Sequence, residues 1–154
     1  MRLTDGSKGV MEYLSHSGIK DIHVINTEKE MGLSDSVQYK NYSTPREALR
    51  LLYLIFKGGL FKPETGKLLQ NFMTRTTSGT NRISGLLPEG TTVAHKTGSS
   101  GTINGITAAT NDIGIVTLPD GRHLLIAVFV SDSKAEDSAR EGVIARMARS
   151  GWDK

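Results

Sequence analysis

At 154 residues, with 37% apolar and 23% charged side chains, the chain has the size and balance of one ordinary globular domain, not of a disordered or fibrous segment. Its 19 basic and 16 acidic residues give a net charge of +3 and are interspersed, which argues against nucleic acid or a membrane surface as a partner. There is no cysteine for disulfides or thiolate metal sites, and no apolar run approaches the ~18 residues of a membrane span.

The opening residues Met1 to Gly6 lack the apolar core of a signal peptide. A short helix is expected from Ser7 to His16, with Val10, Met11 and Leu14 on one face and Gly18 as its stop. Ile22 to Ile25 reads as a brief extended segment, and residues 26–43 lose all periodicity, a loop long enough to suggest function, carrying Glu28 and its neighbour Glu30. Thr44-Pro45-Arg46-Glu47 then sets a capping Thr, a Pro at the first helical position and a Glu three residues after the cap. The helix it starts should run to Lys57 and end at Gly58-Gly59. Another begins near Pro63 and stops before the Thr-Thr-Ser-Gly turn at 76–79, and a helical turn covers Arg82 to Leu87.

Beyond Pro88 the period becomes extended, with strands expected at 91–97, 113–118 and 124–130. Pro119-Asp120-Gly121 joins the last two as an antiparallel hairpin. A final amphipathic helix, 136–149, should cover one face of the sheet with Ala139, Val143, Ile144 and Met147 turned inward. The fold class is therefore α+β. A single domain is expected, with residues 1–87 helical and residues 88–154 forming a three-stranded antiparallel sheet and its helix.

The densest chemistry lies in His95-Lys96-Thr97-Gly98-Ser99-Ser100-Gly101, where an ammonium, a hydroxyl and exposed backbone N–H groups meet at a strand end. Such an edge can bind an anionic substrate and supply an oxyanion donor; a Gly/Ser-rich turn with a solvated Lys is the other reading that these residues allow. A phosphate-binding loop is excluded, because its glycines precede the Lys. His95 reads equally as a packed strand histidine, and with His16, His23 and His123 scattered there is no metal spacing, so neither metal nor cofactor is expected.

Three ordered blocks carry a family resemblance: Val93-Ala94-His95-Lys96-Thr97-Gly98, then Ala108-Ala109-Thr110-Asn111-Asp112, then Leu118-Pro119-Asp120-Gly121-Arg122. With them the chain resembles class A serine β-lactamases, particularly their extended-spectrum branch, over nearly all its length and more weakly before Ile19. The resemblance implies an incomplete β-lactamase/transpeptidase-like fold and a periplasmic or secreted parent that hydrolyses β-lactams by acylation and deacylation. It implies that Lys96, Thr97 and Gly98 contact the substrate and that the Ser99 N–H forms half of the oxyanion hole. Glu28 becomes the general base that activates the deacylating water; a solvated loop carboxylate is the alternative. Gly32 stands where many members have an Asn beside that water. Residues 102–110 lack the Arg that many members use on the substrate carboxylate, so Arg82 is expected to replace it, or else to be an ordinary exposed Arg.

The nucleophile is what the sequence lacks. Ser17 with Lys20 and Ser131 with Lys134 match Ser-x-x-Lys literally, but Ser17 stands at a helix end and Ser131 follows Lys-Thr-Gly, reversing the family order. Ser34-Asp35-Ser36 and Ser131-Asp132-Ser133 approach Ser-Asp-Asn and fail for the same reasons. The chain is thus expected to be the C-terminal portion of such an enzyme, inactive alone and able to pair with an N-terminal half. A penicillin-binding peptidase of the same fold, which lacks the deacylating glutamate, and a non-catalytic fragment are the alternatives.

Overall fold

The computed structural model describes residues 5–33 and 36–154. They form two compact units, 1–51 and 52–154, whose boundary falls inside a helix. Ser34-Asp35, part of one weak Ser-Asp-Asn match, lies outside the described residues.

In the first unit, helix α1 (Gly6–His16) ends as its Gly18 anticipates. Gly18 takes φ +74, its N–H donates to Ser15 O, and the Ile19 N–H reaches back to Leu14 O at 2.9 Å. These paired bonds satisfy carbonyls that the helix end would orphan, and the turn carries Ile19 into the interior. Ser17 closes the helix, its hydroxyl donating to Tyr13 O, which is a structural role and not a nucleophile's.

Strand β1 is only Ile22–His23, shorter than expected, and pairs antiparallel with β2 (Tyr42–Ser43), where the His23 and Tyr42 rings stack 4.3 Å apart. The stretch 26–43 is not the structureless loop its composition suggests. It holds a one-turn helix α2 (Glu28–Met31), a 3-10 turn (Gln38–Lys40) and β2. Asn41 explains why no periodicity announces this: its Oδ1 accepts the Ile25 and Asn26 N–H groups at 2.8 Å each, and its Nδ2 donates to Asn26 O and Met31 Sδ. One side chain here replaces a ladder of backbone bonds.

Helix α3 (Pro45–Lys57) spans the boundary between the units. The Thr44 hydroxyl accepts the Glu47 N–H as expected, but Glu47 does not complete a reciprocal box; its buried carboxylate accepts the Lys20 N–H instead. Gly58, at φ +74, ends the helix.

The second unit continues with α4 (Pro63–Thr74) and a 3-10 turn (Ile83–Leu86), then β3 (Val93–Ser99), β4 (Thr102–Ile103), β5 (Ile106–Thr117), β6 (His123–Ser133) and α5 (Asp137–Trp152). The sheet is antiparallel as expected. Its three long strands have β5 at the centre, with β3 on one side and β6 on the other, and the two-residue β4 joins β5 beyond the end of β3. β3 keeps the expected length but lies two residues later, β6 runs somewhat longer, and β5 begins seven residues early because Asn104-Gly105, both at positive φ, fold β4 back onto it. The Pro119-Asp120-Gly121 hairpin forms as read, closed by Leu118 N–H to Arg122 O at 2.8 Å.

The core of this unit is Ile83, Val93, Val116, Val128, Ile144 and Ala148. Here α5 corrects its expected face. Of Ala139, Val143, Ile144 and Met147, only Ile144 is buried, and Met147 is 53% exposed. The inward stripe is Arg140, Ile144, Ala145 and Ala148. Small residues let the helix approach the sheet closely, and Arg140 enters the interior because its guanidinium is satisfied there by Thr110 Oγ1, Ala135 O and Asp137. No helix of the described residues is long and apolar enough to cross a membrane.

Candidate active site

Strand β3 pairs with β5 alone among the described residues, in the register Lys96↔Ile113, Thr97↔Asp112 and Ser99↔Thr110. Ser100 N–H donates to Ala109 O, and Thr117 N–H to Thr92 O. Antiparallel ladders alternate bonded and non-bonded pairs, so between those two bonds residues 97 and 99 are the non-bonded members. Their N–H and C=O groups are turned away from β5, toward the open edge. The Lys96 ammonium already uses that edge, donating to Thr97 O at 2.6 Å. Lys96 is exposed and Thr97 half-buried, on opposite faces of the strand.

Behind this edge, the face that carries His95, Thr97 and Ser99 is held by two polar clusters. In the first, His95 Nδ1 lies 3.0 and 2.9 Å from the two oxygens of Asp112, and the Ile83 N–H donates to Asp112 Oδ2 at 3.2 Å. His95 is buried and Asp112 is 0% exposed, so His95 is a packed strand histidine. Gly114, opposite His95, makes this possible: a Cβ there would come within 2.8 Å of His95 Cβ and 3.2 Å of Ile83 Cδ1.

The second cluster centres on Arg82, which is buried and not the exposed helix residue considered as an alternative. Its Nε donates to Glu141 Oε1 at 3.0 Å, Nη1 to Asn111 O at 2.8 Å and to Gly98 O at 3.4 Å, and Nη2 to Ser99 Oγ at 2.7 Å. The planar fork thus ties the end of β3 and the middle of β5 to α5, fixing Gly98 and the Ser99 side chain while the Ser99 N–H stays on the open edge. The structure therefore brings Arg82, Lys96, Thr97, Gly98 and Ser99 together. Sequence reading missed Asp112 and Glu141 as their supports: Asp112 stands in the second family block, but only strand register brings it to His95, and Glu141 comes from a distant helix.

Glu28 belongs to the first unit, where it opens α2 and is exposed. The structure separates it from Glu30. Thr27 and Glu30 form a full capping box, with Thr27 N–H donating to Glu30 Oε2 at 2.7 Å, Thr27 Oγ1 at 2.9 Å from the same oxygen, and Glu30 N–H donating to Thr27 Oγ1 at 3.3 Å. Glu30 is thereby committed to the turn, and Glu28 takes no part in the box. The Thr27 backbone N–H, then its hydroxyl, hold the Glu30 carboxyl below the ordinary glutamate range. A carboxyl depressed in the fold stabilises it above its unfolded pKa, and that stabilisation is lost as pH falls through the folded value. The cap is therefore expected to persist below the ordinary glutamate range before opening, and the Thr27 amide shift followed by NMR should titrate with that depressed value; a transition at the ordinary value would contradict the box.

An α+β fold with an open Lys-Thr-Gly strand edge is that of the β-lactamase enzyme family, whose family model matches residues 1–154, and the chain belongs to that family. It is similar to the extended-spectrum β-lactamase PER-1 of Pseudomonas aeruginosa, with 42% identity over 150 residues that make up 97% of this chain and 49% of that protein. The crystal structure of TLA-1 extended-spectrum β-lactamase matches with a TM-score of 0.97 at 46% identity, covering 99% of this chain and 55% of that one. A class A β-lactamase from Bacteroides cellulosilyticus DSM 14838 matches with a TM-score of 0.92 at 38% identity, covering 96% and 53%. The chain spans about half the length of the curated relatives it matches.

Proposed function

We propose that this chain is the C-terminal half of a class A serine β-lactamase that opens the β-lactam amide by acylation and deacylation. In this reading Lys96, Thr97 and Gly98 receive the substrate, with the ammonium and hydroxyl on its carboxylate, and Arg82 holds Gly98 and the Ser99 side chain in place behind them. The Ser99 N–H supplies half of the oxyanion hole, where a donor aimed at developing charge is worth most. Glu28 is the general base for the deacylating water. The nucleophile and the Ser-Asp-Asn element come from an N-terminal half, which adds along the outer edge of β6 as further strands. The observation that carries the reading is the open edge of β3, with Lys96 at it and the Ser99 amide turned toward it.

The experiment is a nitrocefin assay on the 154-residue chain, alone and co-expressed with an N-terminal half bearing Ser-x-x-Lys, together with size-exclusion chromatography. The chain alone should give no turnover above background, since the covalent step lacks its nucleophile, and should self-associate through the apolar β6 edge. The two halves should co-elute and hydrolyse nitrocefin. Turnover by the chain alone that Ser17→Ala abolishes, or a stable monomer indifferent to the added half, would overturn the proposal.

A further inference from the structure

The turn Thr76-Thr77-Ser78-Gly79 does more than end α4. Gly79 adopts φ +68 with its bare Cα against Thr97: a Cβ at that position would lie 2.4 Å from Thr97 Cγ2. The Thr97 methyl is thus seated on a glycine where no other residue fits. A threonine whose methyl is fixed has its hydroxyl fixed as well, since both stem from one stiff χ1. That hydroxyl is 3.1 Å from Ser78 Oγ, and Ser78 Oγ is 3.1 Å from Thr76 Oγ1. Three hydroxyls therefore stand in a row that ends at the strand edge where Lys96 Nζ donates to Thr97 O.

A hydroxyl carries one proton and two lone pairs. If Thr97 is to give its proton to a substrate carboxylate, it must accept at Oγ1, and Ser78 is the neighbour placed to donate to it. Thr76 can in turn donate to Ser78, and each bond polarises the next. We propose that Ser78 is a positioning residue for the substrate carboxylate: it donates to Thr97 Oγ1 and so leaves the Thr97 proton free for the anion, with Thr76 behind it and Gly79 locking the rotamer. This rests on the reading above, in which Lys96 and Thr97 bind the carboxylate. It deepens that reading by making recognition depend on the direction of a hydroxyl row as well as on the ammonium charge.

The test uses the full 154-residue chain, labelled for NMR, with benzylpenicillin and its uncharged methyl ester as probes. Three-bond couplings to Thr97 Cγ2 report its rotamer, and amide shifts at Ser78, Thr97 and Gly98 report binding. Lys96→Ala should abolish the difference between acid and ester. Ser78→Ala should leave the Thr97 couplings unchanged, since the Gly79 seat holds the rotamer, and weaken benzylpenicillin binding about fivefold, the worth of one good hydrogen bond, while leaving the ester unchanged. Ser78→Thr, which keeps the hydroxyl, should restore binding, whereas Gly79→Ala should disturb the Thr97 couplings. Benzylpenicillin binding that survives Ser78→Ala but falls in Lys96→Ala, or Thr97 couplings that are already averaged in the wild-type chain, would overturn the inference and leave the carboxylate reading standing. Acid and ester perturbing these amides alike, in the wild-type chain and in Lys96→Ala, would overturn both.

Discussion

Asp112→Ala is expected to destabilise the 52–154 unit by about 2–6 kcal/mol, about 1–3 kcal/mol for each of two buried donors left without an acceptor. The carboxylate is inaccessible to solvent and serves two donors, His95 Nδ1 and the Ile83 N–H. Without it both donors stay buried and lose their acceptor. Since domains are stable by only about 5–15 kcal/mol, this change alone would approach unfolding. Urea unfolding followed by circular dichroism measures it. Asp112→Asn, which retains one carbonyl oxygen, should lose less, and a drop below about 1 kcal/mol in the Ala variant would mean that the pair contributes little.

Glu28→Gln, introduced where this chain is joined to a nucleophile-bearing half, is expected to lower β-lactam turnover by about 10²–10⁴-fold, the usual contribution of a positioned general base. Acylation would still proceed, so the acyl-enzyme should accumulate and be visible by mass spectrometry within the first turnovers. Glu30→Gln is the control: Gln also completes a capping box, so turnover should remain within a few-fold of the parent's. If Glu30→Gln were the more damaging change, the assignment of the two carboxylates would have to be reversed.

Local signals were legible where one or two residues dictate a backbone geometry. Thr44-Pro45 starts α3, Gly18 ends α1, and Pro119-Asp120-Gly121 folds the hairpin, each within about one residue of expectation. Signals failed where a side chain took over a backbone's task. Asn41 organises the Glu28 segment through four hydrogen bonds and leaves no periodic trace. On α5 the larger apolar residues Val143 and Met147 drew the expected face outward, while Ala145, Ala148 and a satisfied Arg140 form the real one. The Asn104-Gly105 turn was a missed signal, since that pair with extended residues on both sides is a strong hairpin cue.

The site divides in the same way. Lys96, Thr97, Gly98 and Ser99 follow from their motif, because neighbours in a strand stay neighbours in space. Their supports do not. Asp112 reaches His95 only through the register of β3 on β5, and Glu141 reaches Arg82 from the far end of the chain. The Arg82 environment is the clearest difference from expectation, since a fork anticipated for a ligand is bonded to protein acceptors at each nitrogen.

The Pro119-Asp120-Gly121 tip is exposed and bonded to itself: Arg122 N–H and its guanidinium grip the Asp120 carboxylate, and Leu118 closes on Arg122. Among the described residues its hydrogen bonds stay within the tip, so foreign sequence inserted there would meet the closed rung of β5 and β6 on either side. Each doubling of such an insert costs only about 0.6 kcal/mol in closure entropy, which makes this tip the natural grafting point for a reporter or affinity handle.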